Sequence, residues 1–184
     1  MHRLVVVLAM LVGTVGLLGI VHAGSARSAQ EEAGDLGGHP FVGTWMAMTP
    51  AGPVPTIVGP DGSFVSAFSA AYFDPGLGLT FQGSALGQWE AVGERGTHFT
   101  AIQVLTDAEG TYLGTFQFEG HPEVSADGQT FMDTTPQRVV MRDANNTITF
   151  DQILPVEPPV TGIRLSPDGV DLPVSVPTNA TPAA

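Results

Sequence analysis

The spacing of apolar side chains between positions 41 and 166 is the feature that most constrains this chain. No window of eleven or more residues there combines a helical period of 3.6 with freedom from glycine and proline. Apolar side chains instead recur at every second residue, as in the runs from Phe64 to Phe68 and from Tyr112 to Phe118. Alternation with a period of two is typical of half-buried β-strands. The sequence therefore predicts an all-β protein.

Residue types that favour tight turns separate these runs. They are Asp61-Gly62, Glu94-Arg95-Gly96, Glu109-Gly110, Asp127-Gly128 and Asn145-Asn146. Short turns without a helical crossover force neighbouring strands to run antiparallel. We expect an up-and-down antiparallel meander of about eight strands. Because exposed sheet edges promote aggregation, we predict that the meander closes into a barrel, with a flat sandwich as the alternative.

The N-terminal segment has the pattern of a secretory signal. Arg3 supplies a positive start, residues 4–21 carry no charge, and Val21-His22-Ala23 offers small or β-branched residues for cleavage. We predict a signal helix over residues 1–23 that is cleaved after Ala23, which makes the protein secreted, or extracytoplasmic. An uncleaved membrane anchor is the alternative, because eighteen apolar residues nearly cross a bilayer.

Composition divides the rest of the chain into three parts. Residues 24–40 are polar and rich in glycine, which predicts a flexible lead-in. Residues 167–184 are rich in Pro, Thr and Ala, which predicts a disordered tail. All ten Phe, both Trp and both Tyr lie between Phe41 and Phe150. The folded domain is therefore predicted to span residues 41–166.

Charge and cysteine content exclude several functions. The chain has 18 Asp and Glu against 6 arginines, no lysine and a net charge of −12, so it lacks the basic surface that nucleic acids require. It has no cysteine, which excludes disulfides, thiol nucleophiles and Cys-based zinc sites. An acidic exported chain without Lys or Cys, rich in Ala, Gly, Pro and Val, is typical of bacteria. We expect no membrane association after signal cleavage.

The start of the predicted barrel, Gly43-Thr44-Trp45, together with Arg164 near its end, resembles the lipocalin family and the wider calycin group. The resemblance implies that Trp45 closes one end of the barrel and that Arg164 packs over its ring. A guanidinium over an indole contributes about 0.5–2 kcal/mol through the cation–π interaction. The resemblance thus implies barrel closure by Gly43, Trp45 and Arg164.

Alternation also predicts which side chains face the interior and are candidates for binding a small apolar molecule. These candidates are Phe64, Phe68, Trp89, Tyr112, Phe116, Phe118 and Phe150. Rings of this size fill a narrow barrel, so we expect any pocket to be small or absent. The sequence leaves two functions open: an exported barrel that binds a small apolar ligand, and a ligand-free structural or interaction barrel at the cell envelope.

Catalytic and metal sites find less support in the sequence. His98 lies in a strand pattern, and with Glu90 it would be an acid–base candidate for a cofactor-free isomerase or cyclase if both faced inward. Glu119, His121 and Glu123 share one face of an extended segment, but the intervening Gly and Pro favour a solvated loop over a metal site. We therefore predict no enzyme activity, no catalytic residue, no metal and no cofactor.

Overall fold

A computed structural model of the chain describes residues 36–74 and 76–169. The predicted signal segment 1–23 lies outside these residues, as do most of the predicted lead-in and tail. One 3-10 turn, Leu36–Gly38, precedes thirteen strands. The strands are β1 (Gly43–Thr49), β2 (Gly52–Val58), β3 (Ser63–Ser66), β4 (Ala71–Asp74), β5 (Gly78–Gln82), β6 (Ala85–Val92), β7 (Gly96–Thr106), β8 (Tyr112–Gly120), β9 (Glu123–Val124), β10 (Thr130–Asp133), β11 (Gln137–Asp143), β12 (Ile148–Leu154) and β13 (Val160–Arg164).

The strands form a closed antiparallel barrel with eight strand positions around its circumference. We call each position a stave. Five staves are the single strands β1, β2, β3, β6 and β7, and each of the other three is a pair of successive strands: β8 with β9, β10 with β11, and β12 with β13. The first and last staves meet, because β1 pairs with β13 and places Trp45 opposite Arg164. The predicted all-β up-and-down barrel is confirmed, and the sandwich alternative is wrong.

The barrel is closed at one end and open at the other. The strands β1, β2, β3, β6, β7, β9, β10 and β13 form a complete ring of backbone pairing. Beyond that ring β8, β11 and β12 continue outward from β7, and in the described part of the chain β12 pairs only with β11. Pro155, Pro158 and Pro159 separate β12 from β13, and proline cannot donate a ladder hydrogen bond. The sheet therefore splits at these prolines and leaves an opening.

Two of the hairpin turns are built in the same way around an aspartate. Oδ1 of Asp107 accepts hydrogen bonds from the backbone amides of Glu109 and Thr111, at 3.0 and 2.7 Å. Asp143 repeats the arrangement with the amides of Asn145 and Thr147. These bonds, above all the one from Thr111, hold the pKa of Asp107 below its usual value. The side chains replace the backbone partners that a tight turn leaves unpaired.

Residues 36–40, which the sequence assigns to the lead-in, contact the barrel. Leu36 packs against the core, and the backbone amide of Phe41 donates to Nδ1 of His39 at 3.2 Å. The His39 ring lies 5.3 Å from the ring of Trp89. Residues 36–40 are therefore part of the packed structure, because apolar and aromatic side chains within this glycine-rich segment find partners on the barrel.

The hairpin β4–β5 is an insertion between β3 and β6 that pairs with β7. Phe73 lies opposite Leu79, and Phe81 lies opposite Thr106 of β7. The side chains of Phe73, Leu79 and Phe81 are on the outer face. Phe73 is 75% exposed. We refer to Phe73, Leu79 and Phe81 as the outer apolar strip.

Gly162 makes room for an aromatic ring at the closed end. It lies opposite Phe131 in the β10–β13 pairing, and a Cβ at this position would overlap the Phe131 ring. We expect Gly162→Ala to lower the free energy of unfolding by about 1–3 kcal/mol, because the ring has to leave a packed position. Urea unfolding measures the change. Gly83→Ala is the matched control, since a Cβ there contacts nothing within 4 Å, and an equal loss in both variants would contradict the prediction.

Candidate functional site

The closed end of the barrel is filled by an aromatic cluster. Trp45 is fully buried, and its ring centroid lies 5.3 Å from that of Phe131 and 6.1 Å from that of Phe41. Phe41 also meets Trp89 edge to face at 5.6 Å. The indole N–H of Trp45 donates to the carbonyl of Phe41 at 2.8 Å, so the buried polar atom is satisfied. These rings form a solid floor under the barrel interior.

Arg164 covers this floor from outside. Its guanidinium carbon lies 4.2 Å from the centroid of the Trp45 ring. Nε donates to the carbonyl of Gly128 at 2.6 Å, Nη1 to that of Val42 at 2.9 Å, and Nη2 to that of Pro40. Burial lowers the pKa of this guanidinium. One side chain therefore ties the β9–β10 turn to the segment that leads into β1.

His39 makes stability at the closed end depend on pH. Burial lowers the pKa of His39, and the nearby carbonyls of Gly93 and Gly96 offset this only in part. The pKa of such a base is lower in the folded state than in the unfolded state, so the unfolded protein binds a proton more readily. The folded state is therefore most stable above the unfolded pKa and loses stability as the pH falls below it. We expect the wild type to lose more stability than His39→Gln between about pH 7.5 and about pH 5.5, where carboxylates stay ionised. Urea unfolding at both pH values measures this, and parallel losses in the two proteins would contradict it.

Above the floor lies a cavity of about 420 Å³ that opens toward the split end of the barrel. It is lined by Phe41, Ala47, Thr49, Pro50, Ala51, Val54, Thr56, Phe64, Ser66, Phe68, Phe99, Phe116, Phe118, Pro122, Phe131, Asp133, Gln137, Val139, Leu154 and Val160. The rings therefore leave a pocket rather than a fully filled interior. Small side chains at Ala47 and Ser66 and the divergence of β12 leave space that the rings do not fill.

Seven phenylalanine rings contribute to the apolar cavity wall. Phe64 and Phe99 stack with centroids 4.2 Å apart and an angle of 11° between the rings. Phe118 meets Phe99 and Phe68 edge to face, at 5.9 and 5.6 Å. Phe116 lies beside Phe118 at 5.6 Å. Rings held by such contacts keep the cavity shape without a ligand.

The buried polar groups of this wall lie at two places. The first is a hydroxyl pair, in which Thr56 and Ser66 lie opposite each other on β2 and β3 with their side-chain oxygens 2.8 Å apart. The second is Asp133, which lies at the end of β10 and is 2% exposed. Asp133 is the one ionisable residue among those that line the cavity.

Three hydrogen bonds hold the Asp133 carboxylate. Oδ2 accepts from the backbone amide of His121 at 2.8 Å and from Nε2 of Gln137 at 3.1 Å. Oδ1 accepts from the backbone amide of Thr135 at 3.0 Å. His121 lies between β8 and β9, and Thr135 between β10 and β11, so Asp133 joins the bends of two staves. The carboxylate is consequently fixed in position at the cavity wall.

Four of the predicted interior residues, Phe64, Phe68, Phe116 and Phe118, line the cavity. Trp89 is buried but belongs to the floor, where its indole N–H donates to the carbonyl of Gly59 at 2.8 Å. The structure does not place Trp89 among the residues that line the cavity.

Tyr112 and Phe150, also predicted to face the interior, do not line the cavity either. A register shift at Leu105 and Thr106 puts Tyr112 opposite Thr106, whereas Gly114 stays opposite the buried Leu105. The bulge therefore turns Tyr112 outward, where it is 42% exposed. Phe150 lies on the edge strand β12, opposite Met141 of β11, and is 36% exposed. Strict alternation along one strand misses both effects.

The acid–base candidates of the sequence, His98 and Glu90, do not line the cavity. They lie opposite each other on β7 and β6, and Nδ1 of His98 is 3.0 Å from Oε1 of Glu90 on the exposed surface. Glu123, from the candidate metal cluster, pairs with Arg95 at 2.8 Å. Within residues 36–74 and 76–169, no group of three or more His, Asp or Glu side chains is arranged to hold a metal ion.

Sequence reasoning did not single out Asp133, although the signal was present. Phe131 and Asp133 are two residues apart in a short strand, so alternation places them on the same face. Both are buried, and both line the cavity. An acidic residue in phase with a buried aromatic residue was the clue to an interior carboxylate.

These features define the class of protein: an eight-staved antiparallel barrel with a closed aromatic floor and an open, largely apolar cavity. No family model matches the chain, and no curated protein or solved structure matches it either. Among the residues that the structure describes, no helix has the length and apolar character needed to cross a membrane.

Proposed function

We propose that this protein is an exported, lipocalin-like binding protein, rather than an enzyme, and that it holds one small apolar molecule in its barrel. The observation that carries the proposal is the open cavity of about 420 Å³, whose wall includes Phe64, Phe68, Phe99, Phe116 and Phe118. The Trp45–Arg164 contact at the closed end supports the lipocalin-like assignment. The signal pattern in residues 1–23 supports export.

The cavity suits a ligand of limited size. Its volume lies at the lower end of the range of about 300–1,000 Å³ that is typical of small-molecule sites. Burying apolar ligand surface contributes roughly 25 cal/mol per Å². Because the wall rings pack against one another, little of this gain is needed to order the site. A single rigid apolar molecule fits this arrangement better than a long flexible chain.

Binding of N-phenyl-1-naphthylamine, an uncharged dye that fluoresces in apolar surroundings, tests the proposal. We expect saturable binding with one dye per chain. Ala47→Phe fills the cavity from β1 and should weaken binding at least about tenfold, because the side chain takes the place of the ligand. Ala91→Phe is the matched control, since Ala91 is exposed on β6 and does not line the cavity.

The outcomes of this titration are distinct. Tight binding that Ala47→Phe abolishes and Ala91→Phe leaves unchanged supports the proposal. Absence of binding to the wild type, or binding that is insensitive to Ala47→Phe, contradicts it. Thermal unfolding of both variants confirms that the comparison is made between folded proteins.

The outer apolar strip favours a second candidate function, that of a ligand-free structural or interaction barrel. Phe73, Leu79 and Phe81 are exposed side by side on the β4–β5 hairpin. Exposed apolar clusters of this kind often mark protein contacts. Dye binding that is lost in Phe73→Ser but kept in Ala47→Phe would favour this function over the first.

Export has its own test. Expression of the full chain in a secreting bacterial host should release a protein whose measured mass begins at Gly24, because cleavage is proposed after Ala23. Retention of residues 1–23 in a membrane fraction would support the anchor alternative instead.

A further inference from the structure

We infer that the cavity selects apolar molecules that carry a hydrogen-bond donor and no negative charge, with Asp133 as the group that recognises the donor. This inference rests on the proposed binding function and names the chemical class of its ligand. The observations behind it are the charges in the cavity wall, the hydrogen bonds of Asp133 and the position of that residue among the rings.

The charge of the cavity wall has a single source. Of the twenty residues that line the cavity, only Asp133 is ionisable, and none is Arg or His. The chain contains no lysine. Of the four arginines in the described residues, Arg164 is held by carbonyls outside the floor, and Arg142 donates to the carbonyl of Asn146. Arg95 and Arg138 pair with Glu123 and Asp151. No cation in the described cavity wall is therefore available to neutralise an anionic ligand.

An anionic group in this cavity meets two penalties. It loses its hydration shell without gaining a charged partner, and a buried charge without a partner is strongly unfavourable. It also shares a low-dielectric space with the Asp133 carboxylate, and like charges repel more strongly there than in water. Fatty acids and other apolar anions are consequently poor ligands for this barrel.

Asp133 retains capacity to accept a hydrogen bond. A carboxylate offers about four acceptor sites, and the protein occupies three of them through His121, Gln137 and Thr135. The residue is 2% exposed and lines the cavity, so a further donor has to reach it from within the cavity. An amine or hydroxyl group on the ligand supplies the missing donor, and hydrogen bonds to a charged acceptor are the stronger kind.

The position of Asp133 allows the rest of the ligand to remain apolar. Asp133 and Phe131 lie on β10 and both line the cavity, while Phe116 and Phe118 line it on β8. A molecule whose donor reaches Asp133 thus keeps its apolar part in contact with the rings. This arrangement predicts recognition of a polar head at the part of the cavity wall where β10 ends.

Two dyes that differ by one charged group test the selectivity directly. N-phenyl-1-naphthylamine is uncharged and carries one N–H, and 8-anilinonaphthalene-1-sulfonate is the same skeleton with a sulfonate. Counting only the binding that Ala47→Phe removes, we expect the sulfonate to bind at least about 30-fold more weakly, because its charge is buried unpaired. The N-methyl derivative of the uncharged dye lacks the donor and should bind about 3–10-fold more weakly than the parent.

A charge-removing variant assigns the selectivity to Asp133. Asp133→Asn should reduce the ratio between the affinities for the uncharged and the charged dye by about threefold or more, because the like-charge repulsion is removed. Glu94→Gln is the matched control, since it removes one negative charge from the exposed β6–β7 turn and should leave the difference unchanged. If Asp133→Asn does not fold, the comparison of the three dyes on the wild type still decides the ligand class.

Failure of the inference and failure of the proposed function give different results. Equal affinity for the charged and uncharged dyes, both sensitive to Ala47→Phe, overturns the inference and leaves the binding function intact. Equal affinity for the N–H and N-methyl dyes overturns the role of the donor. If no dye binds in a manner sensitive to Ala47→Phe, the proposed function itself is wrong.

Discussion

Replacement of Trp45 by alanine is expected to lower the free energy of unfolding by about 3–5 kcal/mol, the range for removal of a buried aromatic ring. The ring is fully buried, packs edge to face against Phe131 and lies under the Arg164 guanidinium. Its N–H satisfies the carbonyl of Phe41. Alanine therefore leaves a cavity and also an unpaired carbonyl at the closed end.

Urea unfolding followed by circular dichroism measures this loss. Trp45→Phe is an informative second variant, because it keeps an aromatic ring and removes the N–H donor, so its loss should be smaller than that of the alanine variant. A loss below about 1 kcal/mol for Trp45→Ala would show that the ring does not support the fold in the way its packing indicates.

Replacement of Arg164 by alanine is expected to cost about 2–4 kcal/mol, because hydrogen bonds from a charged donor to partly buried carbonyls are lost together. The carbonyls of Pro40, Val42 and Gly128 each accept from the guanidinium. Without it, the β9–β10 turn and the segment before β1 lose their common partner. We expect the ring of strands to loosen between β1 and β13.

Arg164→Lys separates charge from geometry in the same measurement. Lysine keeps the positive charge but presents a single ammonium in place of the planar fork, so it should recover less than half of the loss. A double-mutant cycle with Trp45→Ala should yield a coupling of about 0.5–2 kcal/mol from the guanidinium–indole contact. If the Arg164→Ala variant were as stable as the wild type, this result would contradict the role of this side chain in closing the barrel.

The two predictions bear on the function as well as on stability. The floor built by Trp45, Phe41 and Phe131 is the inner boundary of the cavity. Variants that loosen the floor should therefore weaken dye binding in proportion to their effect on the closed end. Variants of the exposed β6–β7 turn should leave dye binding unchanged.

Much of the barrel was predictable from the sequence because its strands are amphipathic and its turns are short. The run from Phe64 to Phe68 alternates as a strand with one buried face, and the structure places Phe64 and Phe68 at the cavity. Gly110 and Asn146 occupy turns with positive φ angles, as their residue types favour. Local preferences of this kind depend only on neighbouring residues.

The failures of sequence reasoning have physical causes beyond a single strand. Tyr112 continues the alternation of Phe116 and Phe118, yet a bulge against β7 places it outside. Phe150 follows the strand pattern, but in the described residues β12 pairs only with β11, and pairing with β1 begins only in β13, after Pro159. Each outcome depends on the register of a partner strand, which alternation within one strand does not encode.

Sequence alone determined the all-β class and the antiparallel order, since these follow from side-chain periodicity and turn chemistry. The resemblance to the lipocalin family implied the pairing of Trp45 with Arg164. Only the tertiary structure decided that the barrel splits at its far end, that a cavity remains there and that Asp133 lies in its wall. The physical reason is that a cavity is what packing leaves unfilled. Its size therefore depends on the register and divergence of all eight staves together.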